Sequence, residues 1–229
     1  MMQRRSAARQ PHIPLVPKRT VEQQDIQALH PARQRLANHR TATVCQIRGL
    51  LLDRGVAFGT SITRARRMIP EILNDMTNEL TELARDAIAE LWDLLCDLDR
   101  RITSFDKKIA AVFKASPTCQ RIAKIKGAGP KTATAILAAI GDGKEFRNGR
   151  HLAAWLGLVP RQHSSGDKQT MLSISKRGSQ HLRTLLVHGA RAVVRTALNQ
   201  DDPLNTWGND LRERRGYHPA TVAVANHQP

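Results

Sequence analysis

Apolar residues recur along the first half of the chain at the three- and four-residue steps of amphipathic helices. After an unpatterned leader, Ile26, Leu29, Leu36, Val44, Ile47, Leu50 and Leu51 mark one helical face. Thr20 opens it as an N-cap, with Gln23 at the capping-box position. Pro31 predicts a kink or restart, and Gly55 and Gly59 an end. A second, longer helix is predicted from about Pro70, a favourable first-turn residue, to Ala115 before Ser116-Pro117. Its seam is Leu73, Met76, Leu80, Leu83, Ala87, Leu91, Leu94, Leu98, Ile102, Phe105, Ile109 and Val112, the spacing of a coiled coil. A helix of an ordinary antiparallel bundle uses the same spacing, so self-association and internal packing both fit it.

Beyond Pro117 the periods shorten. Helices are predicted over 118–124, 130–140, 148–156 and 176–198, while 157–175 has no convincing period and reads as a loop with room for short strands. The expected fold is mainly α: a long helical hairpin or coiled coil, then a compact helical domain containing a helix-hairpin-helix. Expected divisions are a disordered basic leader (1–19), a helical linker and coiled coil (20–117), a chemistry-bearing helical domain (118–200) and a tail (201–229).

Composition narrows the function classes. Aromatic residues make up 3% of the 229, so the core is aliphatic. The net charge of +16 points to a polyanionic partner, and it is unevenly spread. Residues 118–200 hold 14 Lys or Arg against 3 Asp or Glu, whereas 51–117 hold 10 against 11. No apolar run approaches the roughly 20 residues of a membrane span, and Cys45, Cys96 and Cys119 show no paired or ligand-like spacing. A reduced, cytoplasmic setting is expected.

Three motifs in the basic half carry the candidate chemistry. Ile125-Lys126-Gly127-Ala128-Gly129-Pro130-Lys131-Thr132-Ala133 has the form of a helix-hairpin-helix. The first glycine permits a tight turn, the second lets a DNA backbone approach, and the following helix starts with N–H groups aimed at a phosphate. Lys126 and Lys131 would add charge, with contacts to backbone rather than bases. A packing turn between two helices is the plainer alternative. Next, Arg161-Gln162-His163-Ser164-Ser165-Gly166-Asp167-Lys168 places two serines among cations. A serine can attack a phosphodiester if its proton is removed and the developing charge neutralised, and Arg161, Lys168, Lys176 and Arg177 could neutralise it. Taken alone, the run is also ordinary loop composition. Finally, Lys176 and Arg177 with Arg183, Arg191 and Arg195 predict a basic stripe on the last long helix, with no acid between Asp167 and Asp201. The basic half holds only Asp142, Glu145 and Asp167, too few for a complete two-metal site.

The runs 141–150, 153–166, 174–178 and 182–191 together resemble the C-terminal domain of bacterial insertion-sequence transposases of the 110/116/902 family. The likeness extends over about Ile13 to Asn226. It implies a site-specific DNA recombinase whose catalytic serine forms a phosphoserine link to DNA. Motif for motif, that serine is Ser165, with Ser164 its less favoured neighbour. The resemblance also implies an N-terminal four-acid domain that holds Mg²⁺, a coiled coil and a guide RNA, and self-association through the coiled coil and a place in the bacterial nucleoid are expected. Met1 to His12 looks unrelated to that acidic domain, and no acid precedes Glu22. The sequence is therefore expected to be a truncated transposase that itself binds no metal. The alternative is a non-catalytic nucleic-acid-binding protein that modulates the intact enzyme.

Overall fold

The structure, a computed structural model, describes residues 19–141, 143–165, 168–197 and 202–228, with only the backbone of 168–169. The expected leader therefore lies almost wholly outside the described residues. Helix α1 (Val21–Leu52) begins as its cap dictates: Thr20 Oγ1 accepts from the Gln23 amide at 3.2 Å, and Gln23 Oε1 accepts from the Thr20 amide at 2.9 Å. Pro31 neither ends nor restarts it. The helix is held on both sides of that exposed proline, by buried Ile26 and His30 before it and Val44, Ile47 and Leu51 after it.

The long helix expected from Pro70 is in fact two. Pro70 lies inside α2 (Ile62–Asn74), capped by Ser61, and α3 (Glu82–Ala115) starts afresh at Thr81, which accepts from the Ala84 amide at 3.3 Å. Between them Asp75 accepts from the Thr77 amide at 2.9 Å, while Asn78 accepts from the Leu80 amide and donates to the Ile72 carbonyl at 2.7 Å. Such short-range Asx bonds compete with helix, and here they win.

The break rotates the seam. Ile88, Leu95, Leu98, Ile102 and Ile109 are buried on α3, while Leu83 (82% exposed), Ala87 and Leu94 (46% exposed) face outward, as does Met76 before it. Met76, Leu83, Ala87 and Leu94 of the predicted seam are thus on the outward face, whereas Leu80 is buried. Helix α3 runs antiparallel to α1, as the pairs Arg33–Asp106 and Arg40–Asp99 require. Leu95, Ile88, Leu80, Ile47, Leu51, Val44 and the α2 residues Ala65, Ile69 and Ile72 form one core.

The second half is built from α4 (Pro117–Ile122), α5 (Pro130–Ile140), α6 (Gly149–Trp155), strands β1 (Pro160–Ser165) and β2 (Lys168–Ile174), α7 (Gln180–Thr196), α8 (Pro203–Arg215) and α9 (Tyr217–His227). Its core packs Leu182, Leu186, Ala190, Val193 and Val194 of α7 against Leu156, Leu158 and Ala135. Val224 and Ala225 of α9 join them, so part of the stretch expected as a tail packs into this core. Helices α1 and α3 both pack against α5, which joins the two halves. Among the described residues no helix is long and apolar enough to cross a membrane.

Leu95→Ala is expected to lower the free energy of urea unfolding by about 2–5 kcal/mol. Leu94→Ala, one residue away on the outward face, should stay within about 0.5 kcal/mol. Equal effects would place the seam where the sequence first suggested it.

Candidate nucleic-acid interface

The turn 123–129 between α4 and α5 has the predicted helix-hairpin-helix form, and its two glycines do different work. Gly127 adopts φ +84°, and a Cβ there would sit 2.8 Å from the Gly189 carbonyl group. The reverse contact is tighter: a Cβ on Gly189 would meet the Gly127 oxygen at 2.1 Å. Gly127 is therefore both a turn residue and a docking point on α7. Gln228 adds a hydrogen bond to the Lys126 carbonyl at 2.7 Å. Gly129 has no atom within 4 Å of its Cβ position, and as N-cap of α5 it supplies no capping side chain. A phosphate can approach there. Thr132 is buried, so only its backbone can take part.

Both lysines of this motif already have carboxylate partners. Lys126 Nζ is ion-paired with Asp202, which also caps α8, and Lys131 Nζ lies 2.9 Å from Asp106 Oδ1. Asp106 is bound in turn by Arg33, whose Nε is 2.6 Å and Nη2 3.1 Å from the two carboxylate oxygens. Burial alone would raise the Asp106 carboxyl, but the hydrogen bonds from Arg33 and Lys131 outweigh it and hold it below its ordinary range. Beside this cluster the buried His30 ring meets Thr134 Oγ1 at 3.2 Å and packs 5.5 Å from His181. Burial, followed by the charges of His181, Arg33 and Lys131, pushes His30 down to about 4. The start of α5 is thereby fastened to α1 and α3.

The serine run forms an antiparallel β-hairpin, more regular than the predicted loop. Ser165 pairs with Lys168, Ser164 with Gln169, His163 with Thr170 and Gln162 with Met171. Gly166, Asp167 and the Lys168 side chain lie outside the described residues. Alternation places His163 and Ser165 on one face of β1, and Gln162 and Ser164 on the other. Gln162 donates to Ser164 Oγ at 2.9 Å, which fits that division. Every residue of β1 is exposed, neither strand packs on another described element, and Met171 is 66% exposed. Arg161 sits at an irregularity in the ladder near Ser173, with Nη2 3.5 Å from Ser173 Oγ.

Lys176 and Arg177 are not on the last helix, as the sequence suggested, but in the turn before it. Ser179 caps α7, and Lys176 takes φ +56°. The reason is a second backbone crossing. A Cβ on Gly178 would lie 2.1 Å from the Trp155 oxygen, and one on Gly157 2.3 Å from the Arg177 oxygen. Arg183 also leaves the expected stripe: Nη1 donates to the carbonyls of Leu156 at 2.9 Å and Arg177 at 2.8 Å. It pins the crossing that launches the β-hairpin. Arg191 and Arg195 are exposed on α7, as predicted. The sequence reading missed Gly189, Asp106, Asp202 and Gln228, whose roles depend on long-range contacts. Among the described residues no group of three or more His, Cys, Asp or Glu side chains converges as a metal site. Asp142, one of the few acids here, lies outside those residues.

Residues 119–203 match a family model described as Transposase IS116/IS110/IS902 family. Over 96% of its length the chain is 43% identical to the transposase for insertion sequence element IS1111A of Coxiella burnetii, of which it covers 60%. It is 42% identical, again over 96%, to a probable family 20 transposase of Pseudomonas aeruginosa, covering 65% of it. A pilin gene-inverting protein of Moraxella bovis is 38% identical over 37% of the chain and 28% of its own length. The chain thus spans about three fifths of the length of the first two relatives.

Gly127→Ala should lower stability by about 1–3 kcal/mol from backbone strain alone, with the Gly189 contact adding to it. Gly129→Ala should leave the thermal midpoint nearly unchanged, and equal losses would refute the division of roles. A second outcome concerns pH. His30 is depressed below its ordinary 6.5, so the unfolded chain binds the proton more readily. Its contribution is complete above about pH 6.5 and is lost as pH falls towards 4. The loss is on the order of 2 kcal/mol once residual solvent screening is allowed for. Urea midpoints across that window should fall in the native chain and flatten in His30→Gln.

Proposed function

Because the chain belongs to the IS116/IS110/IS902 transposase family, we propose that it binds duplex DNA and that Ser165 attacks a DNA phosphodiester during transposition. The observation that carries this reading is the placement of Ser165. It is the last described residue of an exposed β-strand that reaches away from the helical body, where a duplex can meet it. Ser164 is the weaker candidate because its hydroxyl already accepts from Gln162.

In this reading the Ser165 oxygen forms a bond to phosphorus while the bond from phosphorus to a sugar oxygen breaks. His163, on the same strand face, takes the hydroxyl proton, and the departing sugar oxygen is protonated from solvent. Arg161, Lys168, Lys176 and Arg177, two on the β-hairpin and two at its base, neutralise the developing phosphate charge. Gly129 and the uncapped start of α5 hold a backbone phosphate away from the reacting one. Among the described residues the acidic side chains do not assemble a metal site. The family resemblance implies Mg²⁺ held by an N-terminal acidic domain. Exposed Met76, Leu83 and Leu94 support self-association through the outer end of the α1–α3 pair. A guide RNA, as the family resemblance implies, would share the basic half.

A second reading is a DNA-binding protein without strand-breaking activity, one that modulates an intact transposase. Incubation of the protein with element-end duplex and Mg²⁺, followed by denaturing electrophoresis, separates the two. Serine chemistry predicts a covalent DNA adduct that is lost in Ser165→Ala and kept in Ser164→Ala. Salt-sensitive binding with no adduct leaves only the second reading. Absent or salt-insensitive binding removes both.

A further inference from the structure

The exposed cations of α7 do not lie on the side of the helix that meets the glycine turn. Leu182, Leu186, Ala190, Val193 and Val194 define the packed side, and Gly189 contacts Gly127 at its margin. At about 100° per residue, His188, Arg191 and Arg195 are centred roughly 160° away from that packed side. All three are exposed. The corner between α8 and α9 extends this outward face. Tyr217 Oη donates to the Arg191 carbonyl at 3.4 Å, which brings the exposed Arg214, Arg215 and His218 alongside. Arg214 Nε donates to the Asp210 carbonyl at 3.3 Å, leaving the rest of its guanidinium outward.

The charge on the two sides is not equally available. Lys126 and Lys131, beside the glycine turn, are engaged with Asp202 and Asp106. Among the described residues, Arg191, Arg195 and Arg215 have no carboxylate partner. Asp210 and Glu213 are exposed nearby, yet with Arg191, Arg195, Arg212, Arg214 and Arg215 the face stays net positive. Unpaired guanidinium groups spread over one face suit the phosphates of a duplex, which repeat along both strands.

We propose that the outward face of α7 and the α8–α9 corner form a second DNA-binding surface, separate from the glycine turn, so that one chain holds two duplex segments on different sides of α7. This rests on the DNA-binding reading above. It gives a physical route for bringing together two DNA segments, which any joining of one DNA to another requires. Tyr217 is a positioning residue in this arrangement, fixing the corner against Arg191.

The test uses the full chain and short blunt duplexes, with duplexes per chain counted by native mass spectrometry and affinity followed against salt. The unaltered chain should take up two duplexes per chain. Arg191→Gln/Arg195→Gln/Arg215→Gln should take up one, and its log–log salt slope should fall by about 2.7, at roughly 0.9 for each phosphate left without its arginine. None of the three side chains makes a described ion pair, and unchanged circular dichroism and melting would confirm an intact fold. One duplex per chain in both proteins, with unchanged slope, overturns the second surface and leaves DNA binding standing. No duplex on the unaltered chain overturns both.

Discussion

The Gly127 carbonyl lies so close to the Gly189 α-carbon that a methyl group on Gly189 would come within 2.1 Å of it. This backbone-to-backbone contact seats the turn between α4 and α5 directly on α7, the helix at the centre of the second core. Gln228 closes the same seam by bonding the Lys126 carbonyl, so the final helix, the turn and α7 are mutually fixed. A similar device at Gly157 and Gly178 sets the point from which the β-hairpin leaves the body. Close backbone approach gives rigidity without bulky side chains, in a chain with few aromatic residues.

Rigidity at these crossings decides where charge can act. Asp106 and Asp202 neutralise the lysines of the glycine turn and attach that turn to α1, α3 and α8. The same carboxylates that order the motif therefore compete with any phosphate for its cations. The outward arginines have no such competitor among the described residues, which makes that face the stronger source of long-range attraction. The β-hairpin, unsupported by other described elements, carries Ser165 beyond the helical body.

Much of this was legible from local sequence. The capping box at Thr20 and Gln23, the turn at Gly127 and Gly129, and the helix over 130–140 are short-range features, and short-range chemistry produced them. The split between α2 and α3 was hidden because Leu73, Met76 and Leu80 keep a helical spacing across a segment that Asp75 and Asn78 fold into turns. Arg183 looked like one more cation of a stripe, and only the tertiary fold supplies the Leu156 and Arg177 carbonyls it binds. The burial of Val224 and Ala225 was equally invisible, since 201–229 carries a weak period and an ordinary charge balance. The serine run was recognised by motif, but its strand geometry, and so the face shared by His163 and Ser165, needed the register.

In this proposal DNA meets the second half of the molecule, at the glycine turn and the outward face of α7, and not the long helices. Photocrosslinking from phosphate-attached probes on a duplex, with the modified peptides identified by mass spectrometry, addresses it most directly. Crosslinks are expected in 121–132 and in 188–218. Crosslinks confined to 21–52 and 82–115, with those two regions unmodified, would contradict it.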